Sequence, residues 1–313
     1  MKVRNIIRAI VYGLFPSGWI RAVQNSLVPG HYQEIVRNVE LVTDLQRSSE
    51  TLDNDYRAQK LRQYAHIVDK GLQRFDCEPG HSFRWYQLAQ ETLSQISDST
   101  FLQDPSVTWA TQIIRKYERL QCGEHAARRS EPEFEIACEY GRLVDTIKTR
   151  RSIRFYSKRT VDLDVIEKIV EVINWSPTSC NRQTAKVFVT NDPSLVRSCL
   201  ATCQGATGFS EFVPCFLCFC ADLRPYAMPQ EIWLPVLDVS LGIQNCCLVA
   251  HTLGLSTTLL SWAQHSDEDE RELRHLLGIP NYYQIVVNGA LGYPECSAPV
   301  PLRKSVESAY ELR

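Results

Sequence analysis

The chain has 313 residues, a formal net charge of -2, and 44% hydrophobic and 22% charged residues. That balance allows a sizeable core and excludes a repetitive, collagen-like or wholly disordered chain. Near-neutral charge argues against a general nucleic-acid binder, so the basic residues that matter are local clusters. Twelve cysteines are present, but Cys215, Cys218 and Cys220 sit in the apolar run VPCFLCFCADL and Cys246-Cys247 in a helical pattern. Buried free cysteine behaves as a small hydrophobe. No second CxxC pair completes a zinc set, so the expectation is a reduced, cytoplasmic protein without a metal.

The N-terminal MKVRNIIRAIVYGLFPSGWI carries Val3, Ile6, Ile7, Ile10, Val11 and Leu14 at helical spacing. Arg8 and Gly13 interrupt it, so it reads as neither a signal peptide nor a membrane span. An amphipathic helix docked on protein is expected, with weak membrane-surface contact through residues 1–20, and so a membrane-peripheral placement, as the alternative. Helical patterns follow over about 32–45, 52–75, 83–96 and 105–120, the last with Asp104 as N-cap and Pro105 in the first position. Residues 1–122 are therefore expected to form a helical N-terminal region and 123–139 a linker, rich in Ala, Arg, Glu and Pro.

The remaining residues, 140–313, change texture. A helix over 161–175 has the stripe Val165, Ile166, Ile169, Val170 and Ile173, and Ser176-Pro177 ends it. A strand at 185–190, a helix to about 202 and a buried strand at 213–221 follow. The long apolar helix at 232–253 is expected to be central and covered on most sides, with Gly254 as its C-cap. Strands at 256–262 and 284–291 flank a short helix at 267–277. This alternation implies a layered α/β or α+β domain.

Arg150, Ser152 and Arg154 are spaced two apart, so in an extended segment their side chains point the same way. Two guanidinium forks and a hydroxyl suit a phosphate; alone, the cluster would more often be a solvated basic turn. A polar turn, SPTSCNRQ at 176–183, follows the next helix. His66, Asp69 and Lys70 share a helix face but read as ordinary surface, and His251 and His265 read as structural. There is no GxSxG, Walker-type loop or HExxH. A chain without a proton-transfer pair fits a site where a cofactor does the chemistry.

Four motifs occur in order: RRSIRFYS at 150–157, WSPTSCNRQ at 175–183, DVSLGIQNCCLVAHTLGLST at 238–257 and GIPNYYQIVVNGALGYP at 278–294. Together they resemble the FMN-dependent nitroreductase superfamily, over about residues 140–306. The resemblance implies an α+β fold with a mixed β-sheet flanked by helices, and a homodimer with FMN at its interface. It implies an NAD(P)H oxidoreductase acting on a small molecule: electrons pass from NAD(P)H through FMN to an electron-poor acceptor of the nitro or quinone type. Chemistry at the flavin N5 needs no catalytic side chain. Arg150, Arg151, Ser152 and Arg154 match the segment that grips the FMN phosphate, and Arg303 matches a C-terminal arginine closing on it. Pro177, Thr178, Ser179, Asn181 and Gln183 match the loop beside the flavin ring. Leu259, Leu260 and Ser261 match a stretch offering backbone N–H groups.

The chain departs from the family where Cys180 replaces a frequent glycine, Ala185 a bulky residue and Pro301 a frequent basic residue. HIVDKGLQRFDCEPG at 66–80 resembles, less specifically, long nitroreductase-like proteins of polysaccharide gene clusters. Two alternatives stand beside the reductase: a specialised flavin enzyme for dehalogenation or oxidation of a biosynthetic intermediate, or a non-catalytic flavin-binding or scaffold protein in polysaccharide biosynthesis.

Overall fold

A computed structural model describes residues 52–74, 77–123, 137–206, 208, 213–226 and 231–313. The helices expected at 1–20 and 32–45, and most of the linker, lie outside these residues. Helix α1 (Asn54–Leu72) starts at Asp53, whose carboxylate accepts the Tyr56 N–H at 2.8 Å. Helices α2 (Phe83–Ser94), α3 (Ser99–Gln103) and α4 (Pro105–Gln121) follow. As expected, Asp104 caps α4 through the Ser106 and Val107 amides, with Pro105 at its start. Leu61, Ala65 and Val68 of α1 pack with Ala89, Val107, Ala110, Ile113 and Tyr117 into a separate small core.

The second layer system begins with α5 (Tyr140–Thr149), a helix not anticipated from the sequence. Helix α6 (Leu163–Glu171) tightens into a 3-10 turn over Val172–Trp175 instead of running on as an α-helix. Then come β1 (Ala185–Thr190), α7 (Pro193–Ala201), β2 (Cys215–Asp222), α8 (Leu234–Thr252), β3 (Ser256–Leu260), α9 (Asp267–Leu277) and β4 (Tyr283–Gly292). Ser266 and Asp269 form a reciprocal capping box at the start of α9, satisfying amides that the first helical turn leaves open.

The four strands are ordered β1-β2-β4-β3 and every neighbouring pair is antiparallel. The class is α+β as expected, but the anticipated mixed pairing is replaced by an antiparallel ladder. Strands β2 and β3, joined through α8, both run against β4. They therefore share a direction, yet β4 inserts between them, and among the described strands no two neighbours are parallel.

Strand β2 is buried along its whole length, which accounts for its unbroken apolar sequence. Its side chains alternate between two cores. Phe216, Cys218 and Cys220 join Val196 and Leu200 of α7 and Leu273 of α9. Cys215, Leu217 and Phe219 join Ile166 and Ile169 of α6 and Val239, Ile243 and Cys246 of α8. The cysteines here act as small hydrophobic residues, and all twelve are free thiols. Gly242 lets α8 approach the 3-10 turn closely: a Cβ there would sit 2.3 Å from the Ile173 carbonyl oxygen.

As expected, α8 is central and covered on most sides, with one stripe left open. Leu237 is 53% and Leu241 43% exposed, with Trp233 just ahead at 65%. Among the described residues the sheet, α6, the 3-10 turn and α5 cover the rest of the helix, and because its apolar residues run right round it, the stripe they leave open is apolar as well.

Candidate functional site

Segment 150–156 runs from the end of α5 across β3. Ser256 and Thr258, two apart on β3 and so on one face, hold its backbone. The Ser256 hydroxyl donates to the Arg151 carbonyl at 3.0 Å and accepts the Ile153 N–H at 3.1 Å. Thr258 donates to the Ile153 carbonyl at 2.7 Å, and the buried Tyr156 hydroxyl reaches Thr258 and the Ala290 carbonyl. Further on, Ser157 N–H donates to Tyr293 and Glu295 N–H to Phe155. The basic cluster is thus mounted on the sheet, not left on a free turn.

Arg150 and Arg151 are half-buried and Arg154 is exposed. The Arg151 Nη1 donates to the Lys148 and Arg150 carbonyls, while its Nε and Nη2 are buried with no hydrogen-bond partner. Buried guanidinium donors left open are costly unless an acceptor meets them. His251, on α8, stands beside the same cluster, with its Nε2 2.9 Å from the Thr149 hydroxyl. Burial, then the Arg150 and Arg151 charges, hold its imidazole below the usual histidine range. Positive potential converges here with unpaired donors, which is the chemistry of an anion site.

Turn 177–183 lies at the entry to β1. Cys180, Asn181 and Gln183 all have positive φ, at 53°, 56° and 54°. Left-handed backbone costs a non-glycine residue roughly 1–2 kcal/mol, least for asparagine. That geometry explains why glycine suits the position of Cys180. Such a turn persists only when its surroundings over-determine it, and here they do. The Ser179 N–H and hydroxyl both donate to the buried Asp238 carboxylate of α8, at 2.9 and 2.8 Å. The Tyr226 hydroxyl donates to the same carboxylate at 2.9 Å. Arg182, 2% exposed, pairs with Glu231 and lies 4.7 Å from the Tyr226 ring centre. Its carbonyl accepts from Arg62 of α1, through Nε at 3.2 Å and Nη2 at 3.1 Å.

Ser179 is therefore an anchor of the turn, its polar atoms turned to Asp238. Asn181 and Gln183 remain half-buried, their side chains joined by a 3.0 Å hydrogen bond. Leu259 and Leu260 end β3, which pairs only with β4 among the described strands, so one backbone edge stays open. The Ser261 hydroxyl accepts the Ala263 N–H at 3.3 Å. Arg303 lies in the exposed tail after β4, and no hydrogen bond joins it to the basic segment. Among the described residues no group of three or more His, Cys, Asp or Glu could hold a metal ion.

Comparison with known proteins places this arrangement. The model of the nitroreductase family matches residues 147–207 and 211–293. An Archaeoglobus fulgidus protein named "Putative NADH dehydrogenase/NAD(P)H nitroreductase" is 33% identical over 152 residues, 48% of this chain and 83% of that protein. The chain belongs to the nitroreductase family. A second member, the FMN reductase (NAD(P)H) of Bacillus subtilis, is 23% identical over 167 residues, covering 49% of this chain and 66% of that one. The solved structure of NfrA1 from B. megaterium has the same fold, with a TM-score of 0.50 and 23% identity over 55% of this chain and 74% of that one.

Within this nitroreductase domain the sequence reading missed the supporting residues. Ser256, Thr258, Tyr156, Asp238, Tyr226 and Arg182 hold the two candidate segments in place. One signal was available: Asp238 is an acid in an otherwise apolar helix, and a buried carboxylate needs donors.

Proposed function

We propose that this chain is an FMN-dependent oxidoreductase that takes electrons from NAD(P)H and delivers them to an electron-poor organic acceptor of the nitro or quinone type. The observation that carries the reading is the open, buried edge of Arg151 beside Arg150 and His251, within the span that matches the family. Bound FMN would supply a two-electron carrier that accepts hydride at N5 and releases the electrons to the acceptor. The residues present fit it. Arg150, Arg151, Ser152 and Arg154 would hold the phosphate by charge-assisted hydrogen bonds. The turn at Pro177, Thr178, Ser179, Asn181 and Gln183 would orient the ring, with Asn181 and Gln183 offering amide groups. The open edge of β3 would offer backbone N–H groups near Leu259–Ser261.

The working unit is a homodimer with the cofactor at its interface. Trp233, just ahead of α8, and Leu237 and Leu241 on it lie exposed, as do Tyr140, Leu143 and Ile147 of the neighbouring α5. Apolar stripes of this kind mark interaction surfaces. The tail adds exposed Val300, Leu302, Val306, Tyr310 and Leu312. Arg303 stands eight residues past Glu295, a reach of about 26–29 Å when extended, so the tail can bring it to a phosphate in its own or the partner subunit.

The test is direct. Purified protein loaded with FMN should be yellow, bleach under anaerobic NAD(P)H and recover colour on addition of a quinone or nitroaromatic. Failure to retain FMN in any form removes the catalytic reading and leaves the scaffold alternative.

A further inference from the structure

We propose that Arg62, in the helical region outside the family match, is a positioning residue for the turn that faces the flavin ring. Its link to the cofactor rests on the function proposed above; the anchoring of the turn does not. Arg62 is 7% exposed. Its Nε and Nη2 converge on one acceptor, the Arg182 carbonyl, and its Nη1 donates to the Ser106 hydroxyl at 3.0 Å. Ser106 is held in turn by Asp104, the N-cap of α4. The guanidinium is thus oriented by α4 of the helical region and donates to the backbone of the turn that enters β1.

That carbonyl belongs to the residue between Asn181 and Gln183, both left-handed. A peptide plane held at its oxygen fixes ψ of Arg182 and φ of Gln183 together. Asp238 grips the turn at Ser179, Glu231 grips the Arg182 side chain, and Arg62 grips the backbone between the two candidate ring contacts. Of these three, only Arg62 comes from the helical region. The helical region thereby shapes the cofactor loop.

Hydrogen exchange at the turn tests this without flavin. In Arg62→Met, which keeps apolar bulk and loses all donors, the Asn181, Arg182 and Gln183 amides should exchange at least tenfold faster. Arg62→Lys, which keeps one cationic donor, should recover part of that change. Gln59→Ala serves as the control. Gln59 joins the same helix to the sheet through Asp222, at 2.9 Å, and its loss should leave the turn amides at parental rates. With FMN, Arg62→Met should lose about tenfold in affinity and shift the visible flavin band, whereas Gln59→Ala should do neither. Parental exchange rates in folded Arg62→Met would overturn the proposal, as would equal acceleration by Gln59→Ala. Should Arg62→Met fail to fold, Arg62→Lys is read instead, with several-fold faster exchange expected and parental rates overturning it. Parent protein that takes up no FMN removes the flavin reading, and the exchange rates then decide the anchor alone.

Discussion

Asp238, in the middle of an apolar helix, accepts both the backbone N–H and the hydroxyl of Ser179. The pair ties α8 to the turn that enters β1, and Tyr226 completes the carboxylate's set of donors. Replacing Asp238 by Asn keeps the shape but sets an amide donor against donors already in place. Hydrogen bonds to charged groups are worth about 1.5–3 kcal/mol each. Asp238→Asn should lower unfolding stability by about 2–3 kcal/mol in urea titrations, and unchanged stability would show that Asp238 does not hold the turn.

The helical region and the sheet are joined by a second buried group. Arg224 forms a two-pronged pair with Asp222, its Nη1 reaches Asp53 at 2.8 Å, and its guanidinium lies 3.9 Å from the Tyr282 ring centre. Removing one partner of such a pair strands the other charge and costs about 3–5 kcal/mol. Arg224→Met should show that loss. The double variant Asp222→Asn/Arg224→Met should recover part of it, because the stranded carboxylate is gone. A double variant as unstable as the single one would place the loss in packing, not charge.

The thiols divide by environment. Burial pushes Cys203 up to about 11 and Cys199, Cys215 and Cys246 up to about 12. The thiolate is the reacting form, so these groups should be silent to alkylation at pH 8. Cys122, Cys138 and Cys296 are exposed and should label first in the native protein, with the buried thiols appearing only on denaturation. Mass spectrometry of labelled peptides checks the order.

Much of this architecture was legible because local periodicity reports local burial. Helix α9, strand β1 and the Asp104 cap lie where pattern and capping chemistry put them. Pairing order is a different kind of information: nothing in the stretch 283–292 says that it will insert between β2 and β3. Helix α5 escaped notice although Tyr140, Leu143 and Ile147 have helical spacing, since they follow a linker-like stretch and stay exposed. The candidate site divides in the same way. Its basic cluster and polar turn are contiguous and visible as motifs. Their anchors come from far along the chain, as Arg62 does for a carbonyl 120 residues later, and no local pattern marks such a pair.

Lys60 offers a test by pH. Burial, then the neighbouring Arg182 charge, bring its ammonium down to about 8. Below pH 8 the lysine is charged in both folded and unfolded chains, so the full cost of burying that charge is present. Between about 8 and its ordinary value of 10.5 the folded form sheds the proton while the unfolded chain keeps it. The unfolded state then binds more protons, and stability rises with pH. Lys60→Met removes the charge but also the 2.7 Å hydrogen bond to Gln63. It should stabilise the protein by roughly 1–2 kcal/mol at pH 7, with the gain shrinking by pH 10. A gain independent of pH would assign it to packing.

His251 reports on the basic cluster from the inside. Its imidazole is held low by burial and by Arg150 and Arg151, so it is mostly neutral at pH 7. An anion seated on those arginines offsets their charge at the ring and favours the protonated form. Sulfate is the cleanest probe, because it does not titrate between pH 5 and 8, and FMN should act in the same direction through its phosphate. The imidazole Cε1–H resonance, followed by NMR from pH 5 to 8, should therefore move to a higher midpoint with sulfate and again with FMN. Riboflavin, which has the ring but no phosphate, should leave it unmoved. In Arg151→Ala the free protein should start from a higher midpoint, since one repelling charge is gone, and should respond less to sulfate. A His251 midpoint indifferent to sulfate and to FMN would place the phosphate elsewhere and return Arg150–Arg154 to the status of a sheet-bound basic surface.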